Sequence, residues 1–324
     1  MLSVRRFVRQ TLLLACMGAA LSPQLSRADG LPTGGRYVAG AGSIATTGAT
    51  TTITQASQRG IIDWQSFSIA AGKGVQFNNA NGATLNRVTG GDLSRLFGEL
   101  KATGSVYLIN PNGVVVGPSG KILTGGSFVG STRDVSNDQF MRGGALAFSG
   151  RSTGSVVNEG KIVSRDGDVV LIGASSRNKG VINAPNGTAA LAAGDAVVMR
   201  EASGPDGITV APGVGKGDVT TEGTIQAAAV ALSSAGGNVY ALAGNRDGVI
   251  QATGTTRING QVWLSAPKGQ TTVTGDVAAA NADGSGGVIV AAGREVAISG
   301  TARLSASGTR GGSVLAGVTG DPGD

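Results

Sequence analysis

The chain has 324 residues, with no histidine, one cysteine, 56 glycines and only 4% aromatic residues. Without histidine there are no Ser-His-Asp or Cys-His nucleophilic sites and none of the usual zinc sets, and a single cysteine cannot form an internal disulfide. The formal charge of +6 is not accompanied by a basic patch interleaved with aromatics, so no nucleic-acid partner is expected.

Arg5, Arg6 and Arg9 form a basic start, followed by an apolar stretch at 11–21 that is too short to span a bilayer. Ser26-Arg27-Ala28 puts small residues at the −3 and −1 positions, and Pro23 breaks a helix just before them. The pattern predicts a secretory signal over residues 1–28, cleaved between Ala28 and Asp29. Leu13-Leu14-Ala15-Cys16 is similar to a lipobox, so lipidation at Cys16 is the competing reading; Arg9 leaves it a very short apolar core. Cleavage removes four basic residues (Arg5, Arg6, Arg9, Arg27) and no acidic one, leaving 22 against 20, a net +2. The mature chain then has no cysteine. That suits a chain that crosses a second membrane extended, and equally a repeat fold that needs no staples.

Residues 31–75 are non-repetitive and carry Tyr37, Trp64 and Phe67, as expected of an N-terminal cap. Trp64 and Phe67 are assigned to anchoring that cap; exposure of Trp64 as a recognition aromatic is the alternative. Further on, Asn110-Pro111-Asn112-Gly113 sits between two β-branched apolar runs, 106–109 and 114–116. Proline fixes φ, and asparagine and glycine tolerate left-handed backbone, so this tetrapeptide predicts a tight corner between buried strands, with Asn110 and Asn112 fixing it through left-handed backbone and side-chain hydrogen bonds.

From residue 154 the sequence becomes periodic. Asn158-Glu159-Gly160-Lys161-Ile162 returns as Asn178-Lys179-Gly180-Val181-Ile182, and residues 166–173 return at 186–194. Looser copies follow at 222–225, 237–244, 260–266 and 287–293. A period near 20 built from short β-prone runs predicts a solenoid. The glycine content rules against stacked helices, since each interior glycine costs about 1 kcal/mol relative to alanine. The expected fold is all-β, a right-handed parallel β-helix of roughly 12 to 14 coils, on the order of 60 Å long. Right-handedness follows the general crossover preference and the family resemblance below. No C-terminal cap is visible before Gly320-Asp321-Pro322-Gly323-Asp324, so a fragment of a longer rod is favoured over a short complete one.

Several strings together resemble a known family. Asn86-Arg87-Val88-Thr89-Gly90-Gly91, then Asn110 to Val114, then Gly130-Ser131-Thr132 are similar to the haemagglutination-activity (secretion) domain of filamentous-haemagglutinin-type exoproteins from two-partner secretion systems. Gln55, Ser57, Ile61, Ile62, Asp63, Trp64, Ser66 and Phe67 match its upstream segment, and Asp138-Gln139-Phe140 with Gly143 resembles its end. The second tetrapeptide of many members, NPNL, is absent, and Asn78-Asn79-Ala80-Asn81-Gly82 is the nearest string. The resemblance covers roughly residues 31–150. It implies a secretion domain at 29–150 followed by β-helix repeats at 151–324. It also implies an outer-membrane β-barrel transporter with POTRA domains as partner, reading Asn86, Arg87, Asn110, Pro111, Asn112 and Gly113. The implied product is a secreted or surface-exposed adhesin facing host-cell or bacterial receptors, with no cofactor and no enzymatic activity.

The competing class is a β-helical polysaccharide lyase or hydrolase, which works with clustered carboxylates. Asp166 and Asp168, two apart, would face the same side of a strand, and Asp134 with Asp138 is the other acid pair. Neither recurs one coil away, where Asn186 and Thr188 stand. The solvated-turn reading is preferred, and no metal site is expected because G-G-x-G-x-D is not repeated.

Overall fold

The computed structural model describes residues 30–201, 207–243 and 248–318. The leader, with Cys16 and the Ala28/Asp29 junction, and the final residues 319–324 lie outside the described residues. Short strands wind into a three-sided coil whose successive turns pair in parallel. On one side, nine consecutive pairings join ten strands, from Thr50–Gln55 to Arg303–Ser305. A second side runs from Arg59–Trp64 to Ser313–Val318. The third begins at Ser94–Leu96 and ends in the far half of Val288–Ile298.

Ten rungs replace the 12 to 14 expected, a stack of about 45 Å at the inter-strand spacing. The 20-residue period holds where Val169 pairs with Ala189, but Lys121 pairs with Lys161 and Val181 with Thr224. Those two long coils each leave the helix and return. The first excursion holds the α-helix Asn137–Arg142 and the strand Leu146–Ser149; the second holds Ala196–Glu201 and Ile208–Val214. Their strands form a separate antiparallel sheet in that order, with Ala196–Glu201 central.

This flanking sheet lies over the second side of the coil and explains its composition. Strands there are buried on both faces, as Val169–Gly173 shows along its whole length, and double burial calls for continuous apolar runs. Inward side chains form the main core with Leu108, Leu171 and Leu191. Outward ones form a second core in which Ile61, Leu85, Tyr107, Val129, Val170 and Ala190 stack in one column, one per rung.

Corners follow from backbone proximity. A Cβ on Gly160, Gly180 or Gly223 would come within 2.1–2.4 Å of a carbonyl oxygen of the preceding coil, so these stacked positions exclude any side chain. Two residues before the first two of these, Asn158 and Asn178 are fully buried and linked by a 2.8 Å side-chain hydrogen bond. The Asn-x-Gly repeat is thus one corner seen once per turn.

At the N-terminal end the chain reverses direction. Arg36–Ala39 runs antiparallel to Arg59–Trp64, and Gly42–Thr47 runs antiparallel to Thr50–Gln55, so two sides of the first rung have their edges covered. Tyr37 in this cap has a buried hydroxyl with no hydrogen-bond partner among the described residues, and burial raises its pKa to about 12. A phenol harder to ionise in the folded state gives stability that is complete below pH ~10 and is lost as pH rises toward 12. Tyr37→Phe should therefore be neutral or stabilising at pH 7. Urea unfolding between pH 9.5 and 12 should show a shallower loss of stability for the variant than for the parent.

Candidate functional site

The tetrapeptide at 110–113 forms the corner expected of it. The Gly113 amide donates to the Asn110 carbonyl at 3.0 Å, closing a four-residue turn with proline at its second position. Left-handed backbone is confined to Gly113 (φ 122°); Asn110 and Asn112 are not left-handed, since Ala80 is the only described non-glycine residue with positive φ. That corrects the left-handed part of the expected role; the side-chain hydrogen bonds expected of the asparagines are present. Asn110, fully buried, donates from Nδ2 to the Asp92 carbonyl and to Ser94 Oγ, both at 2.9 Å, and its Oδ1 accepts the Asn112 amide at 2.9 Å. The Asn112 Nδ2 donates to the Gly90 carbonyl at 2.9 Å while its residue and Pro111 stay exposed. This corner therefore clamps the loop at 90–94 to the next coil. Ser152 Oγ donates to the Pro111 carbonyl from the coil above.

Asn86 and Arg87 point opposite ways from one strand, Ala83–Val88. Asn86 is turned into the coil and fully buried, where its Oδ1 accepts the Trp64 indole N–H at 3.0 Å and its Nδ2 donates to the Tyr107 carbonyl at 3.2 Å. Trp64 and Phe67 are both buried and meet edge to face at 5.3 Å, in the first rung of the core. Arg87 points outward and ties the second rung to the first excursion. Its guanidinium donates to the Asp134 carboxylate (3.0 Å), Asn137 Oδ1 (2.9 Å) and the Val135 carbonyl (2.9 Å).

Two joints went unread in the sequence. Arg133, directly after the Gly-Ser-Thr string, is fully buried. It donates to the Gly194 carbonyl (2.6 Å), the Ser152 carbonyl (2.7 Å) and Asp195 Oδ1 (2.9 Å). Burial lowers its pKa and Asp195 partly restores it. It locks the first excursion to the second, and no local pattern marks a partner 62 residues away. The second joint is Phe140, whose ring packs at 5.2 Å on Tyr107 with the Arg59 guanidinium 5.3 Å from its centroid. At the string where NPNL was missing, the Gly82 amide donates to the Asn79 carbonyl at 2.7 Å, so Asn79 to Gly82 also closes a turn, with Ala80 at φ 47°.

Asp166 and Asp168 line one open pocket with Arg257, and each is also bonded within the coil. Asp168 Oδ1 accepts the Thr188 amide at 2.8 Å and Asp166 Oδ1 accepts Asn186 Nδ2 at 3.3 Å, so each carboxylate bonds across to the following coil. Asp134 pairs with Arg87. Among the described residues, no group of three or more acidic, histidine or cysteine side chains is placed to hold a metal.

A parallel β-helix whose signature residues sit at the joints between coils, cap and flanking sheet defines a class, and the comparisons give its family. The TPS secretion domain family matches residues 28–306, and this chain belongs to it. A heme/hemopexin-binding protein of Haemophilus influenzae strain Rd is 34% identical over 248 residues, 73% of this chain and 27% of that protein. Another H. influenzae heme/hemopexin-binding protein is 41% identical over 92 residues, 28% of this chain and 10% of its own length. The chain thus spans about a quarter or less of these relatives. The solved HMW1 secretion domain from H. influenzae superposes with a TM-score of 0.77 at 28% identity, covering 90% of this chain and 78% of that one. TPS secretion domains are right-handed β-helices, and that is the fold here. The family comprises secretion domains of two-partner secretion exoproteins rather than enzymes; a cognate outer-membrane transporter recognises them and the exoproteins leave through the outer membrane.

The two asparagines of the corner should differ sharply in weight. Asn110→Ala strands a buried carbonyl, a hydroxyl and an amide and should cost about 2–3 kcal/mol, whereas Asn112→Ala should cost about 0.5–1 kcal/mol. Urea unfolding of both variants checks the order; equal losses would contradict it.

Proposed function

We propose that these residues are the export module of a two-partner secretion exoprotein, recognised through the segment 85–132 by periplasmic POTRA domains of the transporter while that segment is unfolded. The observation that carries this is burial. Asn86 and Asn110 have no exposed surface in the folded chain and Arg87 is largely covered, so a partner can read these side chains only before they fold. An extended β-prone segment suits strand addition to such a domain. The signal over residues 1–28, cut between Ala28 and Asp29, would bring the chain to the periplasm. Recognition would rest in 29–150, with 151–324 continuing the rod. On emergence the cap over the first rung folds first and templates the coils that follow, and coil stacking opposes backsliding.

Outside the cell, adhesion to host or bacterial surfaces is the reading the rod shape supports. The names of the heme/hemopexin-binding relatives support a second, in which the exoprotein binds heme or its carrier. A polysaccharide lyase or hydrolase is disfavoured, because the family is one of secretion domains and Asp166 and Asp168 each give an oxygen to a coil-to-coil hydrogen bond.

Co-expression with the cognate transporter tests the export role. Deleting residues 85–132 should abolish release to the medium while signal cleavage and periplasmic arrival continue. Asn112→Ala, which leaves the fold nearly intact, should reduce release several-fold. Release of the deletion at parental levels, or release without the transporter, would overturn the proposal.

A further inference from the structure

The flanking antiparallel sheet is unfinished on one side. Ile208–Val214 pairs with Ala196–Glu201 on one edge and with no described strand on the other. The free edge can be assigned by the two-residue alternation of a strand. Ile208 donates its amide not to Ala196–Glu201 but to Thr188 Oγ1 at 3.3 Å, and Pro212 has no amide to donate. Both therefore face away from the sheet, and so do the N–H and C=O of Val210 between them. The Val210 side chain is buried beneath, in the outer core, so this backbone is held in place.

The coil surface beside that edge continues the covered one. The outward column that ends under the sheet at Ala190 runs on through Ala231, Trp263, Val290 and Leu315, one residue per rung. Trp263 is 46% and Leu315 57% exposed. Between the edge and Trp263 lies a groove of about 470 Å³ floored by Ala229, Ala231 and Ser233, and no charged side chain lines it. It continues the sheet-on-coil interface that is occupied over the earlier rungs, with no covering strand among the described residues.

We propose that Ile208–Val214 accepts an extended, uncharged polypeptide segment of a partner protein as a fourth strand of the flanking sheet. The segment's backbone would pair with Val210 and the Pro212 carbonyl, and alternate apolar side chains would rest on Ala231 and against Trp263. A polypeptide fits better than a sugar because the site offers an ordered backbone edge, and because continuity with the built interface sets both the spacing and the apolar floor. The pairing is short, since Thr188 takes the Ile208 amide and proline interrupts the edge, so the complex is weak and reversible. This site is independent of the export reading: it belongs to the folded protein and to the second excursion, and its test needs no transporter.

The chain has two tryptophans, and Trp64 is buried, so a change in emission on titration reports Trp263. The probe is acetyl-Thr-Val-Thr-Val-Thr-Val-amide, titrated into the full folded chain. A saturable blue shift is expected, absent in Trp263→Phe. A version of the peptide N-methylated at alternate amides should bind about tenfold more weakly, the loss of one or two hydrogen bonds. Ala211→Lys, on an exposed side chain of the edge strand, should weaken binding to a similar degree with an unchanged far-UV spectrum. Equal binding of both peptides would overturn strand addition in favour of plain apolar contact. A shift with cellohexaose but not with the peptide would overturn it in favour of a sugar platform, and no shift with the peptide at millimolar concentration would overturn it outright.

Discussion

A coil of this protein buries nothing by itself. Its strands are three to six residues long on most rungs, and an inward leucine or valine is covered only when a rung lies on either side of it. The same holds for its backbone, whose amides and carbonyls point along the axis to the neighbouring turns. Every other feature answers this dependence. The cap reverses chain direction so that the first rung has something to pair with. Glycines stack at one corner because the turns come too close there for a Cβ. Two buried asparagines, Asn158 and Asn178, sit beside them on successive coils and bond to each other.

The second side of the coil adds a layer, and with it the residues that define the family. Asn86 and Arg87 are adjacent in sequence but serve the two cores separately, one holding the Trp64 indole inside and the other holding the first excursion outside. Asn110 fixes the loop that follows them. These are load points between pieces that are distant in sequence, which is why they are polar and yet withdrawn from solvent. On the proposed reading, the side chains a transporter meets in the unfolded chain are the same ones that fasten the folded chain.

Much of the coil was legible because it is local. The Asn-x-Gly corner repeats at the spacing of one turn, and β-branched runs between glycines state where strands begin and end. The number of rungs was misjudged because two coils leave the helix, and the sequences of those excursions carry no period to count. Apolar strands such as Val169–Gly173 announced burial on both faces without saying what would cover the outer one. For the asparagines at 110 and 112 the side-chain hydrogen bonds were legible, but the left-handed backbone expected with them was not needed once their amide groups bonded across the turn. Arg133 was invisible as a buried residue, since arginine is ordinarily exposed and two of its partners arrive only with Gly194 and Asp195.

Under the proposed export, with the N-terminus leading, that last joint sets a timetable. When Arg133 reaches the outer surface, Asp195 still trails it by 62 residues, on the order of 200 Å of extended chain, against a membrane core of about 30 Å. The flanking layer cannot close until that whole length has passed through. Early rungs stand meanwhile with one apolar side wet, and then acquire their cover in a single late event. Folding on that route would be geared in two strokes: a short one at each turn of the coil, and a long one when the second excursion comes home.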